Sequence, residues 1–338
     1  MTGSTASTPR VPAGRRRRNT NTDATFTLHP RPPFRLDLTV WALRRRPDNG
    51  VDRWDDNRTY RRVMNTVDGL VDVAVCQVGS GESPELLVTL SGPSARRAST
   101  RSEVAEALTR SLGLASDLGA FYRLANTDSL LGPLADRFYG LRPPRFLSLV
   151  EAMAAAVSCQ QLSLTVGIRL LNRLTQTYGR AGPAGARAFP EAADLAATSG
   201  EELRRLGYST RKGHVLTALA RQIDDGSLNF DDLAKLDDHT LLSRFCKLDG
   251  LGRWSAEYIM LRGFGRVNVF PGDDVGARNK LASWLGVVPP LDYPTVGGIV
   301  ERWQPYAGLV YFHLLLDSLA NSGWLTPDSP AAGPTSPF

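Results

Sequence analysis

Leu248-Asp249-Gly250-Leu251-Gly252-Arg253-Trp254-Ser255-Ala256 is the stretch on which the reading of this chain turns. It has the form of a helix end, a tight turn with two glycines, and a new helix start. Glycine takes positive φ without strain and lets backbone come close to something bulky. The second helix would begin with unpaired N–H groups and a positive dipole end, which together suit a phosphate. Gly-x-Gly by itself fits a plain connector between helices equally well. The leucine before it and the Ser-Ala after it narrow the pattern.

Downstream of Pro143 the chain reads as helical. Phe146, Leu149, Val150, Met153 and Val157 fall on one helical face. More helices are expected over 162–178, 201–206, 214–222, 239–247, 253–263, 274–284 and 306–321, with one short strand at 267–270. Upstream the period changes. Phe34, Leu36, Leu38 and Val40 alternate within FRLDLTVWAL, which predicts a strand over 34–43. Strands are also expected at 60–64, 70–78 and 85–90, and helices at 103–112 and 118–124. The expectation is an α+β protein, with a small antiparallel-sheet domain over 26–128 and an all-α region over 129–326. A basic tail over 1–25 and a flexible tail over 327–338 complete it.

The chain of 338 residues has room for two domains. No apolar run nears the roughly 20 residues of a membrane span, so an integral membrane protein is excluded. Cys76, Cys159 and Cys246 are few and scattered, which argues against a disulfide scaffold, a thiolate zinc site and a four-cysteine iron–sulfur cluster. His29, His214, His239 and His313 lack metal-ligand spacing, and His313 reads as a satisfied structural histidine. No Gly-rich nucleotide loop follows a strand. No cofactor and no metal held by side chains are therefore expected. Of the net charge of +6, residues 1–24 hold +4, from five arginines and Asp23. That tail suits a polyanion, and it equally fits a solvated or transit-like start.

The quoted stretch resembles the helix-hairpin-helix of the DNA glycosylase superfamily, which carries a Gly/Pro-rich loop and a catalytic aspartate. That loop follows as Val269-Phe270-Pro271-Gly272-Asp273-Asp274, with Asp274 placed 22 residues after Gly252. Within the superfamily the chain is most similar to the 3-methyladenine DNA glycosylase II (AlkA) group. G-L-R-P-P from Gly140, Q-Q-L-S from Gln160, G-R-W-S-A-E-Y-I-M-L-R-G from Gly252 and E-R-W-Q-P-Y from Glu301 carry the likeness, over most of residues 130–325. The resemblance implies a sheet domain like that of the TATA-binding protein ahead of an all-α glycosylase domain.

It also implies roles. Asp274 would be the catalytic carboxylate, since breaking an N-glycosidic bond builds positive charge on the sugar that a nearby anion stabilises. Asp273 is assigned the helix cap. Bifunctional members carry a Schiff-base lysine where this chain has Trp254, so base release without strand cleavage is expected. Trp254 and Tyr258 would line the pocket for a flipped base, and Leu315 stands where the AlkA group has a further pocket tryptophan. An electron-rich ring stacks well on a cationic alkylpurine. Gln161 falls where a side chain plugs the vacated duplex. Gly250 and Gly252 amides, Arg211 and Lys212 would meet phosphates, with a monovalent cation on the hairpin carbonyls. The partner is double-stranded DNA holding a damaged base, met by a monomer in the cytoplasm or nucleoid, with no membrane partner. Two rivals stand beside this reading: the same chemistry on hypoxanthine or oxidised bases, and a damage-binding protein without catalysis.

Overall fold

Val71, Val73 and Val75 alternate along one strand with their side chains wholly buried, and that strand is the middle of a five-stranded antiparallel sheet. The structure, a computed structural model, describes residues 23–182 and 185–325. The strands are β1 (Ala24–Leu28), β2 (Arg53–Trp54), β3 (Thr59–Thr66), β4 (Gly69–Gln77) and β5 (Leu86–Ser91), in the order β1-β5-β4-β3-β2. Val73 sits opposite Arg62 on one side and Leu90 on the other. The three long strands match expectation, while β1 and β2 were not foreseen. β1 begins at Ala24, inside the stretch expected to be tail. The rest of that tail up to residue 22, and the one after residue 325, lie outside the described residues.

The expected strand over 34–43 is a helix instead, α1 (Leu36–Arg44). All nine of its residues are buried, because it lies between two cores. Leu36, Val40 and Leu43 face the sheet, and Leu38, Trp41 and Ala42 face the helices. An element buried all round shows no helical stripe, and its apolar spacing imitated a strand.

Helices follow through to the C-terminal end: α2 (Ala98–Ser111), α3 (Gly119–Asn126), α4 (Leu131–Arg137), α5 (Leu149–Cys159), α6 (Leu164–Tyr178), α7 (Ala192–Ala196), α8 (Gly200–Arg205) and α9 (Thr210–Asp224). Then come α10 (Phe230–Ala234), α11 (Asp238–Cys246), α12 (Arg253–Arg262), α13 (Val275–Leu285), α14 (Tyr293–Val300) and α15 (Ala307–Asn321). No strand forms at 267–270. With no strand beside it, this backbone docks on the start of α15, where Gly308 N–H donates to Val267 O at 2.7 Å. A small sheet followed by helices is the α+β architecture expected.

The cores do not stop where the sheet ends. One joins Phe26, Val73 and Val88 of the sheet to Met153, Val157 and Ile259 of α5 and α12. The other joins α1 to Phe121, Leu281, Leu309 and Phe312. Two chain segments far apart in sequence thus share one interior. The motif E-R-W-Q-P-Y serves this packing, since Trp303 is fully buried with Nε1–H donating to Asp128 at 2.8 Å.

Candidate active site

The glycine turn folds as the sequence indicated, between α11 and α12, and its two glycines differ in their surroundings. Gly250 has φ +75°, and a Cβ there would lie 2.3 Å from Val215 Cγ2 on α9. Gly252 has an ordinary φ of −93°, and a Cβ there would meet nothing within 4 Å. Packing inside the protein demands the first glycine and not the second. Gln160, at the end of α5, ties this turn to its neighbour: its Nε2 donates to Gly250 O and to Ser255 Oγ, each at 2.8 Å.

Gln161 follows at φ +53°, a left-handed conformation that a side chain adopts only with strain. It is exposed, and so is Leu162 beside it. Arg211 is also exposed, in the first turn of α9. Lys212 in the same turn is placed differently from expectation, because its Nζ donates to Gln160 O at 2.5 Å. It props the turn that presents Gln161.

The cap expected of Asp273 falls to its neighbour instead. Asp274, not Asp273, caps α13, with Oδ1 accepting Ala277 N–H at 2.9 Å. Asp273 is paired with Arg278. The cap uses one oxygen of Asp274, and Oδ2 accepts no hydrogen bond among the described residues. The backbone that delivers this carboxylate is clamped. Glu257 Oε2 accepts Gly272 N–H at 3.0 Å, Glu257 Oε1 accepts the Tyr293 hydroxyl at 2.6 Å, and Arg278 Nε donates to Gly272 O at 2.5 Å. Burial pushes the Glu257 carboxyl up, against those two hydrogen bonds.

All nine expected site residues line a single cavity of about 770 Å³: Asp274, Trp254, Tyr258, Leu315, Gly250, Gly252, Gln161, Arg211 and Lys212. Trp254 and Tyr258 stack on each other, ring centroids 5.4 Å apart and 22° between planes. They form one aromatic wall, with Tyr258 fully buried and Trp254 half-buried. Leu315 on α15 adds an aliphatic side chain to the lining, beside Leu314 and Tyr311 of the same helix.

Among the lining residues that were not anticipated, three carry a titratable group close to Asp274 or the aromatic wall. Tyr311 has its phenol pushed up first by burial and then by the negative charge of Asp274. Burial pushes the Lys280 ammonium down, opposed by Asp274. Arg45 comes from the end of α1 and donates from Nη1 to the Tyr258 hydroxyl at 2.6 Å. No local signal marks Arg45, since its place depends on α1 being a helix. The described residues hold no group of three or more His, Cys, Asp and Glu suited to a metal, and no helix long and apolar enough to cross a membrane.

Comparison with known proteins accords with this geometry. Residues 154–296 match the model of the HhH-GPD superfamily of base excision DNA repair proteins. A Bacillus subtilis protein named "Putative DNA-3-methyladenine glycosylase YfjP" is 24% identical over 84% of this chain and 95% of its own length. The Escherichia coli DNA-3-methyladenine glycosylase 2 is 26% identical over 54% of this chain and 63% of its own. Among solved structures, the 3-methyladenine DNA glycosylase of Archaeoglobus fulgidus superposes with a TM-score of 0.74 at 23% identity, over 86% of this chain and 97% of that one. At that identity the likeness establishes the fold.

Proposed function

We propose that this chain, whose residues 154–296 match the model of the HhH-GPD superfamily of base excision DNA repair proteins, is a member of that superfamily and a monofunctional DNA glycosylase acting on alkylated purines such as 3-methyladenine. One observation carries the proposal: Asp274, with an unbonded oxygen, shares a cavity of base-holding size with the Trp254–Tyr258 wall. The names of the relatives support the alkylpurine class.

In this mechanism double-stranded DNA docks with a phosphate on the open amides at Gly252, where any side chain would stand between backbone and ligand. Arg211 adds a phosphate contact, and a monovalent cation on the spare lone pairs of the hairpin carbonyls adds positive charge. Of these, Leu248 O already accepts Leu251 N–H and Gly250 O accepts Gln160, each with one lone pair left. Gln161 enters the stack as the damaged base swings out. The base packs on the aromatic wall.

As the C1′–N bond breaks, its electron pair leaves with the base and positive charge grows on the sugar. Asp274 stabilises that charge and orients a water, whose oxygen bonds to C1′. The water gives one proton to the carboxylate, which passes it to solvent, and keeps the other as the hydroxyl on C1′, while the cationic alkylpurine leaves as a neutral base. Trp254 occupies the position from which a lysine would attack C1′, so the product is an intact strand with an abasic site. The enzyme acts as a monomer on the bacterial nucleoid.

Incubating the full chain with methylated duplex DNA tests this. Released 3-methyladenine with strand breaks only after alkali is the expected result. Breaks before alkali would remove the monofunctional assignment.

A further inference from the structure

At the far end of α12 from the glycine turn, three arginines from three chain segments come together, and the mechanism above uses none of them. Arg145 lies in the connector before α5, Arg110 in the last turn of α2, and Arg266 just beyond α12. The ten residues of α12 separate this cluster from the hairpin by about 15 Å. None of the three lines the cavity that holds Asp274.

Arg145 is pinned through its backbone. Its N–H donates to Ser111 O at 2.8 Å, beside Arg110, and the next N–H, of Phe146, donates to Arg262 O at 2.7 Å. Its guanidinium lies against the turn that carries Arg266. Gly265 there has φ +71°, and a Cβ would stand 2.0 Å from Arg145 Nε, so glycine leaves the guanidinium its place. Arg266 and Arg110 both lean on segment 230–236. Arg266 Nη2 donates to Ala234 O and Leu236 O, each at 2.8 Å, and Arg110 Cζ is 5.8 Å from the Phe230 ring centre.

The cluster lacks negative charge. Arg145 is partly buried, its Nε has no hydrogen-bond partner, and no described residue accepts from its guanidinium or pairs with it. Burial pushes that guanidinium down, and the charges of Arg110 and Arg266 push the same way. Among the described residues the one carboxylate paired with the cluster is Asp238, 3.2 Å from Arg266 Nε. Three cations against one anion leave two positive charges unbalanced, which is costly where water is partly excluded. Donors also stay open. Arg110 commits Nη2, to Leu147 O, and Arg266 commits Nε and Nη2, while Arg145 commits none. Guanidinium forks match the oxygens of a phosphate, which accepts from several at once.

We propose that Arg145, Arg110 and Arg266 form a phosphate-binding site separate from the hairpin. Its phosphate comes from a free phosphate compound or from a second stretch of nucleic-acid backbone, and the latter lets one chain hold two DNA segments at once. The site does not depend on the glycosylase reading.

Melting of the full chain against inorganic phosphate, with ionic strength held constant by chloride, tests this. Phosphate stabilises proteins generally by exclusion from their surface, equally in close variants. A saturable rise in Tm reports a site. Arg145→Met should raise the half-saturating concentration about tenfold or more, as loss of hydrogen bonds to a charged group does. Its melting in chloride alone should be unchanged or higher, because the charge it removes has no partner. Arg110→Met, at an exposed position, should shift the response in the same direction, and it carries the test if Arg145→Met does not fold. An identical phosphate response in the unmodified chain and both variants, or no saturable rise in the unmodified chain, would overturn the proposal.

Counting short undamaged duplexes bound per chain, by sedimentation, separates the two sources. Two on the unmodified chain and one on Arg145→Met assign the site to a second nucleic acid. One on each, with the phosphate response as expected, assigns it to a free phosphate compound.

Discussion

His313 shows how far a single side chain can depart from its ordinary behaviour. It is fully buried on α15, its ring 5.1 Å from that of Phe121, and Nδ1–H donates to Leu309 O at 2.7 Å. Nε2 has no partner, so the histidine is only half satisfied. Burial pushes its pKa down from 6.5 to about 4. Between those values the unfolded chain binds a proton that the folded chain refuses, so stability falls as pH drops through this window. The loss attributable to His313 is about 2–3 kcal/mol at pH 4.5, because each tenfold difference in proton affinity between the folded and unfolded chain is worth about 1.4 kcal/mol. Urea unfolding at pH 7 and pH 4.5 should show His313→Gln losing less stability on acidification than the unmodified chain. Equal losses would contradict the assignment. At this same scale the sequence was informative about types and less so about duties. The pair Asp273 and Asp274 was legible as cap plus catalyst, but which residue capped depended on where α13 begins.

At the scale of elements the hairpin is the clearest case. Its two glycines look alike in the sequence and separate only in three dimensions. Gly250→Ala forces a Cβ onto Val215 and a side chain into positive φ, and should cost about 1–3 kcal/mol of stability. Gly252→Ala should melt like the unmodified chain and bind abasic duplex DNA about tenfold or more weakly, because its added methyl stands only in the path of a ligand. A Tm drop for Gly252→Ala with unchanged DNA binding would reverse these assignments. Amphipathic helices such as α6 and α9 were legible because solvent on one side writes a period into the sequence. α1 was not, because a helix enclosed by two cores has no polar face to mark its turns. The short elements β1, β2, α7 and α10 were missed for a related reason: a few residues carry too little period to read.

The whole molecule depends on contacts between its two halves. Arg62 on β3 reaches α5, with Nη2 2.5 Å from Glu151 Oε2 and Nη1 2.7 Å from Asp52 Oδ1. All three groups are almost completely buried, and burial pushes the Glu151 carboxyl up while Arg62 opposes it. Arg62→Met leaves two carboxylates buried without their cation and should cost about 3–5 kcal/mol. The sheet and the helices should then melt together at a lower temperature, because one core runs through both. A separate sheet transition by near-UV and far-UV circular dichroism would contradict that coupling. The nine residues that line the cavity were legible one by one through their resemblance to a known pattern. Arg45 was not, since its approach to Tyr258 spans 213 positions and belongs to the tertiary fold alone.

The claim at the centre of this account is that the unbonded oxygen of Asp274 performs the chemistry. Asparagine caps a helix about as well as aspartate, so Asp274→Asn keeps α13 and removes only the charge. The decisive measurement is the single-turnover rate of base release from methylated duplex DNA by Asp274→Asn, beside its melting temperature. A fall of about a hundredfold or more with unchanged melting is the result the account predicts. A folded Asp274→Asn that releases base at the original rate would contradict it.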